Sequence, residues 1–343
     1  MKKLYPLLSV LFLISFVLSQ EIIHTETHKN GNIKSITYHE KIGNKLYKKK
    51  LEEWYKNGQK EREVRYKNGE LDGIVIEYYS NGQMLIKENY SMGHKNGTYS
   101  SWYENGKKWV KCTFVNNEYD GLYSSWYENG QKKKEETYKN GKQDGLYSSW
   151  YESGQKGLEG IYKDGKEDGT WIGWYKNGKK KFEGIYNNGK EISLTEWDYH
   201  FSGQMESEKF FKNGLQNGLS TRWYKNGQKE SETTFKNGLE DGLSIRWYEN
   251  GQKERENTFL IFSFQGKLVS MTDGLQTKWD NNGNIKSKWV MVRGGDLWYV
   301  CYSDECDTKR WFSDNYFEMI KEEFWDSEKY LKDWDGEIPK NGQ

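Results

Sequence analysis

The sequence holds 343 residues, of which 34% are hydrophobic and 16% aromatic, with 16 Trp, 26 Tyr, 14 Phe, 36 Gly, two Pro and no alanine. Missing alanine and abundant glycine exclude a mainly helical fold, the aromatics exclude a disordered chain, and the scarcity of aliphatic side chains excludes a single large core. The formal net charge is +1, from 52 basic and 51 acidic residues interleaved along most of the chain, which leaves no electrostatic footprint for nucleic acid.

At the N-terminus, Lys2 and Lys3 precede an apolar run from Leu4 to Leu18, followed by Ser19, Gln20 and Glu21. A basic start, a short apolar stretch and a small residue at its end predict a cleavable secretory signal peptide over residues 1–19, with Val17 and Ser19 at the small-residue positions. The run is short for a span, which needs about 20 residues. The prediction places the mature chain in a secreted, periplasmic or cell-surface compartment. Residues 20–50 then read as a degenerate repeat that caps the array to follow.

Residues 51–290 are periodic. Turn glycines fall at Gly58, Gly82, Gly106, Gly130, Gly154 and Gly178, each 24 residues apart; a step of 25 leads to Gly203, and steps of 24 to Gly227 and Gly251. Looser copies surround Gly31 and Gly283. Each copy carries two turn signals. The first is Trp-Tyr-x-Asn-Gly-Gln-Lys, as in Trp126–Lys132, where Asn-Gly predicts a type I′ hairpin turn. The second, as in Tyr138–Gly145, has two glycines four residues apart and predicts a longer loop with a bulge. Runs between them, such as Leu122–Tyr127 and Lys133–Tyr138, have strand length. The predicted fold is therefore all-β: an elongated antiparallel β-hairpin meander or solenoid of about ten 24-residue units, which Pro6 and Pro339, the only prolines, do not interrupt.

The pattern Gly160-Ile-Tyr-Lys-Asp-Gly165-Lys-Glu-Asp-Gly169 resembles the MORN repeat, and the longer unit with Trp-Tyr-x-Asn-Gly-Gln-Lys is similar to the MORN variant of YwqK-type antitoxin proteins. The resemblance covers about residues 50–290. It implies a hairpin meander with a binding or scaffolding role, and more remotely the neutralisation of a toxin partner. The chain departs from the pattern where Ser193 replaces a glycine, where Tyr199-His200-Phe201 replaces Trp-Tyr, and where residues 251–283 are stretched by eight. Irregular geometry is expected near 193–203 and 259–274.

Residues 291–343 differ. Residues 294–343 hold 13 acids and 6 bases, against 38 and 46 before them. Phe312, Tyr316, Phe317, Ile320, Phe324 and Leu331 follow helical spacing from Trp311, with Ser313 or Asp314 as the cap, so the segment reads as a strand and a small α-helical cap over the last strand edge. An acidic helix that docks a partner is the alternative. Cys301 and Cys306 offer a small disulfide loop in an oxidising compartment, or two reduced thiols. Cys112 occupies an ordinary strand position.

Catalytic chemistry finds little support. His24 and His28 have i,i+4 spacing but lack the glutamate placement of a zinc-protease helix, and a solvated segment explains them. The remaining histidines are His39, His94 and His200. Carboxylates such as Glu128, Glu152 and Glu249 recur with the repeat, as solvated surface does, and no phosphate loop or nucleophile elbow appears. No enzyme activity, cofactor or metal is expected. Binding is the better expectation, through the rows Trp102, Trp126, Trp150, Trp174, Trp223 and Trp247 and the adjacent Tyr103, Tyr127, Tyr151, Tyr175, Tyr224 and Tyr248. Adjacent strand residues face opposite ways, so one row packs; the Trp row is expected to be the packed one, with the Tyr row facing solvent. The expected partner is another protein, as for a scaffold or immunity protein. The alternative is a cell-wall or surface glycan, since the chain also resembles choline-binding wall repeats, though it lacks their shorter period and Gly-Trp openings. Lipid contact rests only on family analogy and a small positive excess.

Overall fold

The structure, a computed structural model, describes residues 21–264, 267–292 and 295–301. The expected signal peptide, the helix expected after Trp311 and, beyond Cys301 itself, the loop to Cys306 lie outside the described residues. Within them are 29 strands and no helix, and every described pairing is antiparallel. This is the all-β hairpin meander that the period predicts. Its contacts form two compact units, one of Met1–Gly145 with Glu152–Gly154 and one of Leu146–Tyr151 with Gln155–Gln343.

One repeat of the first unit shows how the sequence builds both. Strand Lys60–Lys67 turns through Asn68 and Gly69 into the short strand Glu70–Leu71 and continues as Gly73–Tyr78. Gly73–Tyr78 then pairs with Met84–Ser91 across the next turn. The second unit repeats the plan from Lys156–Lys163 onward.

The two turn types are the reverse of the sequence expectation. In Trp-Tyr-x-Asn-Gly, only the glycine has positive φ (Gly58 +86°), Gly58 N–H donates to the Tyr55 carbonyl and Tyr55 N–H to the Gln59 carbonyl. That is a turn closed by a glycine bulge, not a type I′ turn, and the ladder shifts register beside it between Glu53 and Trp54. The tight turn with two positive-φ residues is the second one: Asn140 (+49°) with Gly141 (+76°), or Asn188 (+53°) with Gly189 (+79°). The predicted bulge does follow it, at the next glycine.

Strand alternation gives each unit a packed and an open face. On the packed face of the first unit Val64, Val75 and Cys112 are buried, and Tyr99, Phe114, Tyr119 and Tyr138 form a chain of ring contacts with centroids 4.6–6.1 Å apart. In the second unit Tyr147, Tyr162 and the buried Trp171 do the same at 4.9–5.6 Å. Polar side chains on this face are paired: Glu136 accepts from Lys134 (2.8 Å), Tyr138 Oη (2.9 Å) and Gln143 Nε2 (2.5 Å), and Glu88 from Lys95 (2.8 Å) and Tyr90 Oη (3.0 Å). The open face exposes aliphatic side chains just after the bulge glycines, including Leu122 in the first unit and Leu146, Leu219 and Leu243 in the second.

Candidate functional site

The Trp-Tyr motif ends a strand at each bulged turn, and its two side chains have different tasks. Six of the tyrosine hydroxyls reach into the next repeat and donate to the carbonyl of the residue before that repeat's own turn. In the first unit Tyr55 reaches Tyr78 (2.7 Å), Tyr79 reaches Trp102 (2.9 Å) and Tyr103 reaches Trp126 (2.8 Å). In the second, Tyr151 reaches Trp174 (2.7 Å), Tyr224 reaches Trp247 (2.6 Å) and Tyr248 reaches Trp279 (3.0 Å). The tyrosines are half-buried, and burial holds the phenols of Tyr55, Tyr79, Tyr103 and Tyr224 above the ordinary tyrosine range. This corrects the expectation that the Tyr row faces solvent: it stitches neighbouring hairpins together.

Two histidines join the same ladder. His200 stands three residues before Gly203, as Tyr224 stands before Gly227, and its Nε2 lies 2.7 Å from the Trp223 carbonyl. His28 precedes Gly31 by the same interval and lies 2.8 Å from the Trp54 carbonyl. The His24–His28 pair is thus a strand residue and a turn clamp. At the 25-residue step the ladder shifts instead: Tyr175 donates to Asp198 Oδ1 (2.8 Å), and burial with this bond pushes its phenol up to about 12.

The turn asparagines form a second ladder. Asn57, Asn81, Asn105 and Asn129 in the first unit, and Asn226 and Asn250 in the second, each donate through Nδ2 to a carbonyl in the next turn at 2.6–3.2 Å. Their Oδ1 atoms accept from the N–H two residues on, at 2.8–3.0 Å.

The tryptophans are half-buried. Lysine ammonium groups lie over the rings of Trp126, Trp174 and Trp247 at 5.9 Å from the centroids, from Lys108, Lys156 and Lys229 respectively. Lys156 and Lys229 also pair with the glutamates three residues further on, Glu159 and Glu232. The predicted Trp and Tyr rows therefore sit side by side at the bulged turns, each engaged within the array. What residue reasoning missed is the exposed aliphatic series Leu122, Leu146, Leu219 and Leu243, whose signal is the apolar residue after each Gly in Gly-Leu. No group of three or more histidine, cysteine, aspartate or glutamate residues suited to a metal occurs among the described residues. No helix among them is long and apolar enough to cross a membrane.

A family model described as the MORN repeat variant matches residues 49–68, 71–92, 95–116, 119–140, 167–188, 216–237, 240–260 and 272–291. The repeat array belongs to the MORN repeat variant family. The matched MORN-variant copies recur in the register of the Tyr and Asn ladders and leave out 141–166, which holds Tyr151, 189–215, which holds His200, and 261–271, which holds most of the stretch beyond Phe259. No curated protein matches the chain. Among solved structures, similarity extends to a Tc holotoxin pore of Photorhabdus luminescens with a TccC3 mutation (TM-score 0.23, 11% identity, 82% of this chain and 14% of that one). It extends also to a TcdB2-TccC3 crystal structure (TM-score 0.17, 9% identity, 81% and 18%). The chain thus spans less than a fifth of either, and these scores are too low to indicate a common arrangement.

Proposed function

We propose that this MORN-variant chain is an exported, non-catalytic scaffold that binds another protein through the open face of its second unit. The observation that carries the reading is the aliphatic series on that face: Leu146 (66% exposed), Leu219 (53%) and Leu243 (43%). The family motif does not need them for its own hydrogen bonds, and exposed aliphatic side chains set in a polar surface are what a protein interface recruits. Glycan stacking is the weaker reading, because lysines occupy positions over the tryptophan rings that a sugar would use. Export rests on the basic and apolar start of residues 1–19.

The test is recovery of the tagged full chain from its native host beside the double variant Leu219→Glu, Leu243→Glu. The reading predicts a stoichiometric protein that accompanies the unaltered chain and is lost from the variant at unchanged Tm. A toxin partner would identify itself as that protein. A partner retained by the variant overturns the assignment of the surface, and sedimentation with insoluble cell wall in place of any protein overturns the class of partner.

A further inference from the structure

The packed face of the second unit changes character towards its end. The strand position that holds Ser101 and Ser125 in the first unit, and Ser149 and Gly173 early in the second, holds Arg222, Arg246 and Lys278 in the last repeats. Arg246 lies directly across from Arg255, and Arg255 across from Lys278. Like charges placed opposite one another across a ladder are unfavourable, so this row costs stability that packing alone does not return. Arg222 and Arg246 share Glu230 at 3.6–3.9 Å, and Arg246 also meets Glu254 at 3.3 Å. Arg255 and Lys278 have no ion pair among the described residues. These arginines rim a cleft of about 330 Å³ whose walls include Thr233, Ser244, Asn257 and Glu240.

Inside the cleft the polarity is opposite. In the first unit the buried acids of the packed face have partners across their own hairpins, as Glu88 has Lys95 and Glu136 has Gln143. In this repeat the corresponding hairpin holds Thr233 and Glu240. Thr233 bonds instead to Ser244 (2.9 Å), and the Glu240 carboxyl has no hydrogen-bond or ion-pair partner among the described residues. Burial alone holds it above the ordinary carboxylate range. Asn257 Oδ1 is buried without a donor, and so is Gln276 Oε1, which faces it one register step beyond the pair Glu256 and Thr277. The cleft therefore offers the unpaired Arg255 guanidinium at its rim, beside Arg246, and three unused acceptors within or beside its floor.

We infer that this cleft binds a small zwitterion, of the class of a free amino acid or dipeptide, with its carboxylate on Arg246 and Arg255 and its ammonium on Glu240 and Asn257. A guanidinium fork suits a planar carboxylate, and an ammonium supplies the donors that Glu240 and the Asn257 amide oxygen lack. The volume lies at the small end of ligand sites, which admits a molecule of that size.

Calorimetric titration of the full chain tests this with glycylglycine, free glycine and L-alanine, and with acetate, ethylamine and inorganic phosphate as single-charge probes. Saturable binding of a zwitterion is expected, weakened at least tenfold in Glu240→Gln and in Arg255→Gln, with each single-charge probe at least tenfold weaker than the zwitterion. Both variants are expected to keep the Tm of the parent or exceed it, because each removes an unpaired charge. No saturable binding at concentrations on the order of 10 mM overturns the proposal. Binding unchanged in both variants overturns it as well, and so does acetate or phosphate binding as tightly as the zwitterions.

Discussion

Glu52 shows how one side chain can tie a repeat together. Its carboxylate, 9% exposed, accepts from Lys60 Nζ (2.7 Å) and Tyr38 Oη (3.0 Å) and pairs with Lys50 Nζ (3.0 Å). Burial alone would raise its pKa; the bonds from Lys60, Lys50 and Tyr38 outweigh burial and bring it from 4.5 to about 2. A folded pKa below the unfolded one means that the carboxylate stabilises the fold above the ordinary glutamate range, and that this stability is lost as pH falls from about 4.5 towards 2. Glu52→Gln is therefore expected to cost about 1–3 kcal/mol at neutral pH, and to flatten the dependence of Tm on pH across that interval. Parallel pH profiles for the two proteins would remove this role. Cys112 shows the opposite case, since burial pushes its thiol up to about 12 and gives it no thiolate at neutral pH. Iodoacetamide at pH 8 is expected to spare Cys112 in the folded chain and to modify it in denaturant, as peptide mapping would show.

At the scale of the element, the strands exploit glycine as a space as well as a turn. Gly160 faces Trp171 across the ladder, and a Cβ built there would lie 2.1 Å from the indole ring. Gly160→Ala is expected to displace Trp171 and to cost about 1–3 kcal/mol by overpacking. In the first unit Cys112 sits opposite the smaller Tyr123, one register step from the pair Lys111 and Ser124. Adding Trp171→Tyr should accordingly recover part of the loss, and denaturant unfolding of the two variants would read both effects. Strands and period were legible in the sequence because Asn-Gly and strand-length runs recur every 24 residues. The turn types were not, since the same dipeptide stands in both turns. The choice depends on whether the asparagine side chain is used, as Asn129 uses its own on Gln131 N–H and the Glu152 carbonyl, or the backbone takes positive φ at both residues, as at Asn140 and Gly141.

At the scale of the molecule, each repeat leans on its neighbours, so stability is a sum of hairpin terms and interface terms such as the tyrosine-to-carbonyl bonds. Those bonds span 23 residues, or 31 from Tyr248 to Trp279, and no local reading of a strand reveals their partner; the motif that looked like a binding surface is the seam between repeats. The His200 and His28 substitutions were visible in the sequence once each was counted from its turn glycine. The residues left for a partner are those the ladders do not use: the exposed Leu219 and Leu243, and the arginine-rimmed cleft. The central claim is this division between seam and surface, and the most direct measurement of it is the unfolding free energy of Tyr224→Phe beside that of Leu243→Glu. Loss of the 2.6 Å Tyr224 bond is expected to cost about 0.5–1.5 kcal/mol, whereas Leu243→Glu should remain within about 0.5 kcal/mol of the parent. A neutral Tyr224→Phe together with a strongly destabilising Leu243→Glu would contradict the account.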